Sequence, residues 1–140
     1  MNARHFIDTN VFVYSIEPGA PQKTERAINL IAAAIKTGTG VISYQVVQEF
    51  FNVAFKRFKP VMTLAEAEQY LTTTFRPLLA VHSSNSLFLQ ALRLTAVDRL
   101  SWYDSLIVAA ALETDCRILY SEDLQHGRKF GDLRVHNPFH

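Results

Sequence analysis

Cysteine is nearly absent from this sequence: Cys116 is the single cysteine among 140 residues. One cysteine excludes an internal disulfide and any zinc site built from several cysteines. Long apolar runs are absent as well, since the longest, Leu106 to Leu112, has seven residues, whereas a membrane-spanning helix needs roughly 20. Neither sign of charge is in large excess. The net charge is +1, so the composition demands neither nucleic acid nor an anionic membrane as a partner.

What is present is the composition of a folded globular protein. Hydrophobic residues make up 49% of the chain and charged residues 19%, which argues against a disordered chain. A length of 140 residues predicts one domain, residues 1–140, with a single core. The opening stretch, Met1 to Asp8, is too short and too polar for a signal peptide. We therefore expect a cytoplasmic protein with no membrane partner.

Short apolar runs alternate with helical patterns along the chain. The runs that predict strands are residues 6–7, 41–42, 78–81, 118–120 and 133–135. Residues 11–14 are apolar too, but they fit either a strand or one helical turn. The alternation predicts an α/β fold, with a central parallel sheet of about five short strands covered by helices on both faces. Residues 60–97 carry only one weak strand and are interpreted as a candidate for a protruding helical hairpin.

The stretch from Ser101 to Asp123 organises the predicted fold. Its middle, Leu106 to Leu112, is apolar on every side, and a helix of that kind is buried. The strand at residues 118–120 follows directly. An acid, Asp104, stands at the start of this helix, and a polar loop from Glu122 to Asp132 follows the strand.

Several helix starts carry capping signals. Thr63 and Glu66 have the spacing of a capping box, which predicts a helix to about Thr74. Ser43 is expected to cap the helix that carries Glu49, and either Ser83 or Ser84 caps a helix to about Val97.

Four acids fall where the predicted strands end or where the next helix begins. In open α/β sheets the functional site lies outside the carboxyl ends of the strands. This rule assigns to one edge of the sheet Asp8, Glu49, Asp104 and Asp123. Each acid alone also fits a structural role: an Asx-turn at Asp8, a solvated helix face at Glu49, a helix cap at Asp104 and a polar turn at Asp123.

Carboxylates gathered in this way repel one another. Two such charges about 6 Å apart repel by on the order of 3 kcal/mol at an effective dielectric constant of about 20. A fold tolerates several of these pairs when a cation neutralises them. Oxygen ligands without histidine or cysteine indicate a hard ion, Mg²⁺ or Mn²⁺. The chemistry that matches this ion is phosphodiester hydrolysis, in which the metal activates water and stabilises charge on the phosphoryl oxygens.

These stretches, in this order, resemble the PIN-domain (PilT N-terminus) ribonuclease family, and within it the VapC-type toxins of bacterial toxin–antitoxin pairs. The resemblance is carried by residues 6–14, 43–50, 101–107 and 119–127. It implies a three-layer sandwich, an RNA substrate, a homodimer and inhibition by a cognate antitoxin. It also implies that the four acids bind Mg²⁺ or Mn²⁺, with Asp123 favoured over the adjacent Glu122. Their polar neighbours, which would orient water or carboxylates, would be Thr9, Asn10 and Ser121.

Other residues admit a functional and a structural interpretation. The basic side chains that could contact RNA phosphates, or simply face solvent, are His126, Arg128 and Lys129. Trp102 fits base stacking or packing at a helix start.

Two other functions are compatible with the pattern. One is a PIN-like module that binds RNA or protein without cleaving it. The other is a haloacid-dehalogenase-type phosphatase with Asp8 as nucleophile, but Asn10 stands where that family has a second aspartate.

Overall fold

Six short strands form one sheet in a computed structural model that describes residues 3–140. The strands are β1 (His5–Ile7), β2 (Gly40–Ser43), β3 (Leu79–Val81), β4 (Ile118–Tyr120), β5 (Lys129–Phe130) and β6 (Leu133–His136). Their spatial order is β3-β2-β1-β4-β6-β5. All neighbours run parallel except β5 and β6.

Six α-helices connect and flank these strands. They are α1 (Thr9–Tyr14), α2 (Pro21–Thr37), α3 (Tyr44–Lys56), α4 (Leu64–Tyr70), α5 (Asn85–Asp98) and α6 (Trp102–Glu113). One π-helical segment, Leu71–Phe75, continues α4. The predicted α/β fold with a mostly parallel central sheet is confirmed.

The prediction of about five strands missed one. Lys129–Phe130 forms β5 inside the stretch that the sequence predicts as a polar loop, and it pairs antiparallel with β6. A two-residue strand is too short for an alternating pattern to reveal it. The tight connection passes through Gly131, whose φ of 60° is a left-handed conformation that glycine adopts without a steric penalty.

The order of the strands locates a crevice. β1 lies between β2 on one side and β4 on the other, so the chain winds away from β1 in two directions. The carboxyl ends of strands at such a switch point frame the ligand-binding crevice of open α/β sheets. Asp8 follows β1, and Ser121 follows β4. Because Ile7 pairs with Tyr120, these two polar residues leave the sheet side by side.

The ambiguous residues 11–14 are helical. The carboxylate of Asp8 accepts a hydrogen bond from the backbone N–H of Thr9, and α1 begins there. Val11, Phe12 and Val13 are all buried, so three consecutive side chains point into protein, which removes any helical periodicity from the sequence.

The central helix is confirmed. Every residue of α6 from Ser105 to Ala111 is buried, and the helix packs against α5 and β2. Its one buried polar group is satisfied, because the hydroxyl of Thr95 on α5 donates a hydrogen bond to Ser105 Oγ at 2.8 Å. Beside β2, α2 approaches so closely that a Cβ at Gly40 would lie 2.5 Å from the Cβ of Ala34.

The capping predictions have mixed outcomes. The Thr63–Glu66 capping box is present in both directions, and Ser84 caps α5 through the N–H of Leu87. The predicted helix to Thr74 changes to π-helical geometry at Leu71. Ser43 stands at the N-cap of α3, but its side chain makes no capping hydrogen bond, so that prediction is wrong. The hydroxyl of Ser43 is instead buried without a partner among the described residues.

Residues 60–97 contribute to the same core as the rest of the chain. Phe75 packs edge-to-face with Phe12 and Phe50 at ring separations of 5.0 and 5.1 Å, and β3 joins the sheet beside β2. Their behaviour as a separate hairpin stays a prediction. Within residues 3–140, none of the helices combines the length and the apolarity needed to cross a bilayer.

Candidate active site

Buried polar residues concentrate at one edge of the sheet. Six polar or charged side chains are buried, and five of them lie at or just beyond the carboxyl ends of β1, β2 and β4. These five are Asp8, Thr9, Ser43, Gln45 and Ser121. Polar groups are costly to bury, so their concentration at the switch point of the sheet marks this edge as the candidate functional site.

Asp8 is the most deeply buried acid of the site. Its Oδ1 accepts from the backbone N–H of Thr9 at 2.7 Å, and its Oδ2 accepts from Ser121 Oγ at 2.9 Å. Burial raises the pKa of Asp8 to about 7; these two hydrogen bonds oppose the rise, and the charges of Glu49 and Asp123 add to it. Asp8 therefore titrates near neutral pH.

Glu49 reaches the same edge from the middle of α3. The hydroxyl of Thr9 donates to Glu49 Oε1 at 3.0 Å. Partial burial raises the pKa of Glu49, hydrogen bonds from Thr9 and Gln45 oppose this, and the charges of Asp104 and Asp123 add to it. The two acidic neighbours place Glu49 within the electrostatic range of the site.

Asp104 is positioned by the first turn of α6. Its backbone N–H donates to Ser101 Oγ at 3.2 Å, which fixes the start of the helix. One turn of contacts ties this helix to α3, because the buried amide of Gln45 donates to the carbonyl of Tyr103 at 3.2 Å. Gln45 therefore connects the helix that carries Glu49 with the helix that carries Asp104.

Asp123 arrives from the loop after β4. The side-chain amide of Asn10 donates to Asp123 Oδ2 at 2.9 Å. Partial burial raises the pKa of Asp123, and the charges of Asp104 and Glu122 act in the same direction. The four acids, with Asp8, thus form a group that we call the acidic site: Asp8, Glu49, Asp104 and Asp123.

Glu122 points away from this group. Its carboxylate accepts from Lys23 Nζ at 2.6 Å and from the hydroxyl of Tyr14 at 2.7 Å. Burial by itself raises the pKa of Glu122, but these two bonds and the charge of Lys23 outweigh it and lower the pKa. Lys23 Nζ also lies over the rings of Tyr14 and Phe139. We call Tyr14, Lys23, Glu122 and Phe139 the lysine cluster.

The donor chemistry of the acidic site fits a hard divalent cation. Its carboxylates form no ion pair with any Lys, Arg or His of residues 3–140, and raised pKa values at three of them report uncompensated negative charge. All available side-chain donors are oxygen atoms, as Mg²⁺ and Mn²⁺ require.

The spacing of these donors is open. Within the described part of the chain, no three His, Cys, Asp or Glu side chains are grouped tightly enough to hold a metal ion as they stand. Separate hydrogen bonds from Thr9, Asn10 and Ser121 hold three of the carboxylates individually. Mutual repulsion favours such separation. The fit to a cation therefore rests on donor type and charge.

The predicted RNA-contact residues differ in their availability. Lys129 is exposed on β5. Arg128 is engaged within the protein, since its guanidinium donates to the carbonyl of Asp98 at 2.9 Å and lies over the ring of Phe130. Burial and the nearby histidines lower the pKa of His126, whose Nδ1 accepts the backbone N–H of Asn137. The role of these residues in RNA binding stays a prediction.

Two residues of this region were missed from the sequence. Gln45 lies on what reads as the solvated face of α3 with Glu49 and Asn52, yet Gln45 is buried and Asn52 is exposed. Tyr103 was assigned no role, although its ring is 65% exposed beside Asp104. No periodic signal could have found either one, because both depend on how the start of α6 meets α3.

Comparisons with known proteins agree with this geometry. The PIN domain family profile matches residues 5–129. No curated protein sequence matches the chain. Among solved structures, the chain is similar to a toxin–antitoxin complex from Klebsiella pneumoniae, at 17% identity and a TM-score of 0.66, covering 96% of this chain and 97% of that one.

Two further structures are similar over most of their length. One is VapC20 of Mycobacterium tuberculosis, described as a toxin that cleaves the sarcin–ricin loop, at 22% identity, a TM-score of 0.62 and coverage of 85% and 89%. The other is VapBC2 of Rickettsia felis bound to a promoter DNA fragment, at 18% identity, a TM-score of 0.65 and coverage of 95% and 97%. At these identities the likeness shows the fold.

Proposed function

This chain belongs to the PIN-domain family, and we propose that it is an Mg²⁺- or Mn²⁺-dependent endoribonuclease that acts as the toxin of a type II toxin–antitoxin pair. The observation that carries the proposal is the acidic site. Four carboxylates from four separate segments converge on the switch point of the sheet with no basic side chain to neutralise them. Such uncompensated charge is what a hydrolytic metal site needs.

We assign the metal to the carboxylates of the acidic site, Asp8, Glu49, Asp104 and Asp123. When bound, the ion would supply an activated water nucleophile and positive charge opposite the phosphoryl and leaving oxygens. Because Asp8 holds a proton below a pKa of about 7, the site must release that proton to bind a cation. Metal affinity is therefore expected to rise with pH through neutrality.

The neighbouring polar side chains act as positioning residues. Thr9 donates to Glu49, Asn10 to Asp123 and Ser121 to Asp8. Each of these bonds leaves lone pairs on the carboxylate free, since an ionised carboxylate accepts about four hydrogen bonds or metal contacts. Such partners of metal ligands orient them, and their loss typically lowers metal affinity or activity by about 10–100-fold.

The proposed partners are RNA as substrate, a cognate antitoxin and a second copy of the chain. The description of VapC20 as a toxin that cleaves an RNA loop supports the RNA substrate and the toxin role here. An antitoxin segment with a basic side chain would be attracted by the acidic site. Its binding is then expected to weaken as salt increases. The cytoplasmic location stays a prediction.

A nuclease assay tests the proposal. Purified protein is incubated with labelled RNA of mixed sequence in Mg²⁺, in Mn²⁺ and in EDTA, beside the Asp8→Asn variant. We expect cleavage with either metal and none with EDTA or with Asp8→Asn. A matched control is Asp132→Asn, an exposed acid-to-amide change just before β6, and therefore at the opposite edge of the sheet. Cleavage that persists in EDTA contradicts the metal mechanism.

The same assay separates the alternatives. A PIN-like module that only binds would retain RNA affinity and show no cleavage under any condition. Asn10 donates to Asp123, so it is engaged in the acidic site and does not serve as the second acid of a haloacid-dehalogenase-type phosphatase. Release of inorganic phosphate from a phosphomonoester, lost in Asp8→Asn, would favour that phosphatase.

A further inference from the structure

We propose that the exposed ring of Tyr103 is a stacking platform for an unpaired RNA base beside the acidic site. The inference rests on the proposed function and deepens it, because it names the substrate class: RNA that is unpaired at the cleavage position. Tyr103 is then a specificity-determining residue of this nuclease.

The position of the ring is the first observation. Tyr103 and Asp104 are consecutive in the first turn of α6, so their Cα atoms lie about 3.8 Å apart. The Asp104 carboxylate belongs to the acidic site, whereas the Tyr103 side chain is 65% exposed. A base resting on this ring is attached to a phosphodiester at the edge of the metal-binding carboxylates.

The rigidity of the backbone beneath the ring is the second observation. The carbonyl of Tyr103 accepts from the buried amide of Gln45, and the turn is capped by Ser101. The neighbouring aromatic is used for packing, since the ring of Trp102 lies 6.3 Å from that of Phe88. Tyr103 is therefore a fixed, solvent-facing aromatic surface, which is what stacking requires at low cost in conformational entropy.

The shortage of free positive charge is the third observation. Lys23 is paired with Glu122, and Arg128 is engaged with Asp98. RNA that approaches the acidic site gains little from these cations and is repelled by the carboxylates until a metal binds. Stacking on an uncharged ring supplies affinity that does not depend on phosphate contacts. A paired base hides its faces within the helix, so a duplex cannot use the ring.

Binding of intact RNA tests the inference. The Asp8→Asn variant serves as the background so that RNA is not cut, and fluorescence anisotropy reports the Kd for a short unpaired RNA and for the same RNA in a duplex. Tyr103→Ala in this background is expected to weaken binding of the unpaired RNA by about tenfold, the range for loss of one stacked base. Tyr103→Phe keeps the ring and is expected to stay within about twofold. The duplex affinity is expected to change by less than about twofold in both.

Two readouts separate stacking from a structural role. Trp102 is the single tryptophan of the chain and adjoins Tyr103, so a stacked base is expected to quench its emission in the background protein and in Tyr103→Phe but not in Tyr103→Ala. In otherwise wild-type protein, Tyr103→Ala is expected to raise KM for unpaired RNA while leaving kcat nearly unchanged, since uniform binding is lost.

The matched control is Phe55→Ala. Phe55 is another exposed aromatic, 49% exposed, six residues or about 9 Å along α3 from Glu49. Its loss is expected to leave RNA affinity unchanged. Melting temperatures of all variants show whether they are folded, and Tyr103→Phe supplies the answer if Tyr103→Ala is not.

Several outcomes overturn the inference. Cleavage by the wild type together with unchanged unpaired-RNA affinity in Tyr103→Ala refutes it and leaves the nuclease proposal standing; a ring reserved for a protein partner would give this result. An equal loss of duplex affinity also refutes it. A tenfold loss in Tyr103→Phe shows that the hydroxyl, not the ring, matters. A wild-type protein that neither binds nor cleaves RNA removes the proposed function and this inference with it.

Discussion

Two adjacent acids, Glu122 and Asp123, face different regions of the molecule. Glu122 enters the lysine cluster, where Lys23 and Tyr14 donate to its carboxylate and its pKa is lowered. Asp123 enters the acidic site, where one amide from Asn10 is its hydrogen-bond partner and its pKa is raised. The residue types are nearly identical, and the peptide bond joins them.

The difference lies in what surrounds each charge. The lysine cluster is electrically complete: its carboxylate, ammonium and aromatic rings neutralise one another, and it anchors the loop after β4. The acidic site is incomplete, since its carboxylates find hydroxyl and amide donors but no cation among residues 3–140. A complete cluster stabilises the fold, whereas an incomplete one is available to bind a cation.

The largest contrast is expected in catalysis. Asp104→Asn removes a metal ligand and is expected to lower kcat/KM for RNA by more than about 100-fold, because losing even a partner of a ligand costs about 10–100-fold. Glu122→Gln removes a charge one residue from the site but outside it. It is expected to cost less than about fivefold, since a solvent-exposed ion pair contributes under about 1 kcal/mol. Steady-state cleavage rates of both variants measure the contrast, and equal losses would abolish the distinction between the two regions.

A smaller effect is expected from the buried amide that supports the acidic site. Gln45→Ala frees Glu49 and the start of α6 from each other. It is expected to weaken Mn²⁺ binding by about 10–100-fold, as for other partners of metal ligands. Calorimetric titration with Mn²⁺ provides the measurement without any substrate.

Asn52→Ala is the control for this change, because it removes a carboxamide from the same face of α3 at an exposed position. Gln45→Glu adds another carboxylate next to Glu49 and is expected to lower the metal-free melting temperature further than Gln45→Ala does. Mn²⁺ affinity as high as that of the wild type in Gln45→Ala would leave Gln45 without a role in the site.

The smallest effect is expected in stability, and its sign should differ between the two regions. A pKa of about 7 for Asp8, in place of 3.8, corresponds to a penalty of roughly 4 kcal/mol for the ionised carboxyl. Asp8→Asn removes this penalty and loses about one hydrogen bond. Without metal at pH 8, it is therefore expected to raise the free energy of unfolding by roughly 1–3 kcal/mol.

The gain should depend on pH in a definite direction. The folded protein holds the Asp8 proton more tightly than the unfolded chain, so the wild type loses stability as the pH rises from about 4 to about 7. The advantage of Asp8→Asn should disappear below pH 4 and shrink when Mg²⁺ is added.

Glu122→Gln should behave oppositely. The lowered pKa of Glu122 stabilises the fold above its ordinary value of 4.5, so the variant should lose under about 1 kcal/mol near neutrality and nothing at low pH. Urea titrations at pH 4, 6 and 8 measure both trends. A loss of stability in metal-free Asp8→Asn at pH 8 would show that the carboxylates are not crowded.

Much of the fold could be predicted from local patterns. The buried helix α6 follows from seven consecutive apolar residues, and the capping box at Thr63 and Glu66 needs only a spacing of three. β5 could not be predicted, because two residues carry no period. The cap at Ser43 was wrong because a serine before a helix can also be buried against its neighbours, and the sequence does not distinguish these outcomes.

The arrangement of the candidate site was only partly predictable. The sequence assigned Asp8, Glu49, Asp104 and Asp123 to one sheet edge from strand ends alone, and the structure brings them within electrostatic range of one another. Whether they bind metal stays a prediction.

The sequence by itself determined which residue types stand where strands end and helices begin, because those signals are local. Only the tertiary structure decided that Glu122 meets Lys23 while Asp123 meets Asn10, residues 99 and 113 positions away. It also decided that Gln45 is buried against the carbonyl of Tyr103. The direction of a side chain past a strand end depends on which distant segment packs there, and no local pattern encodes that choice.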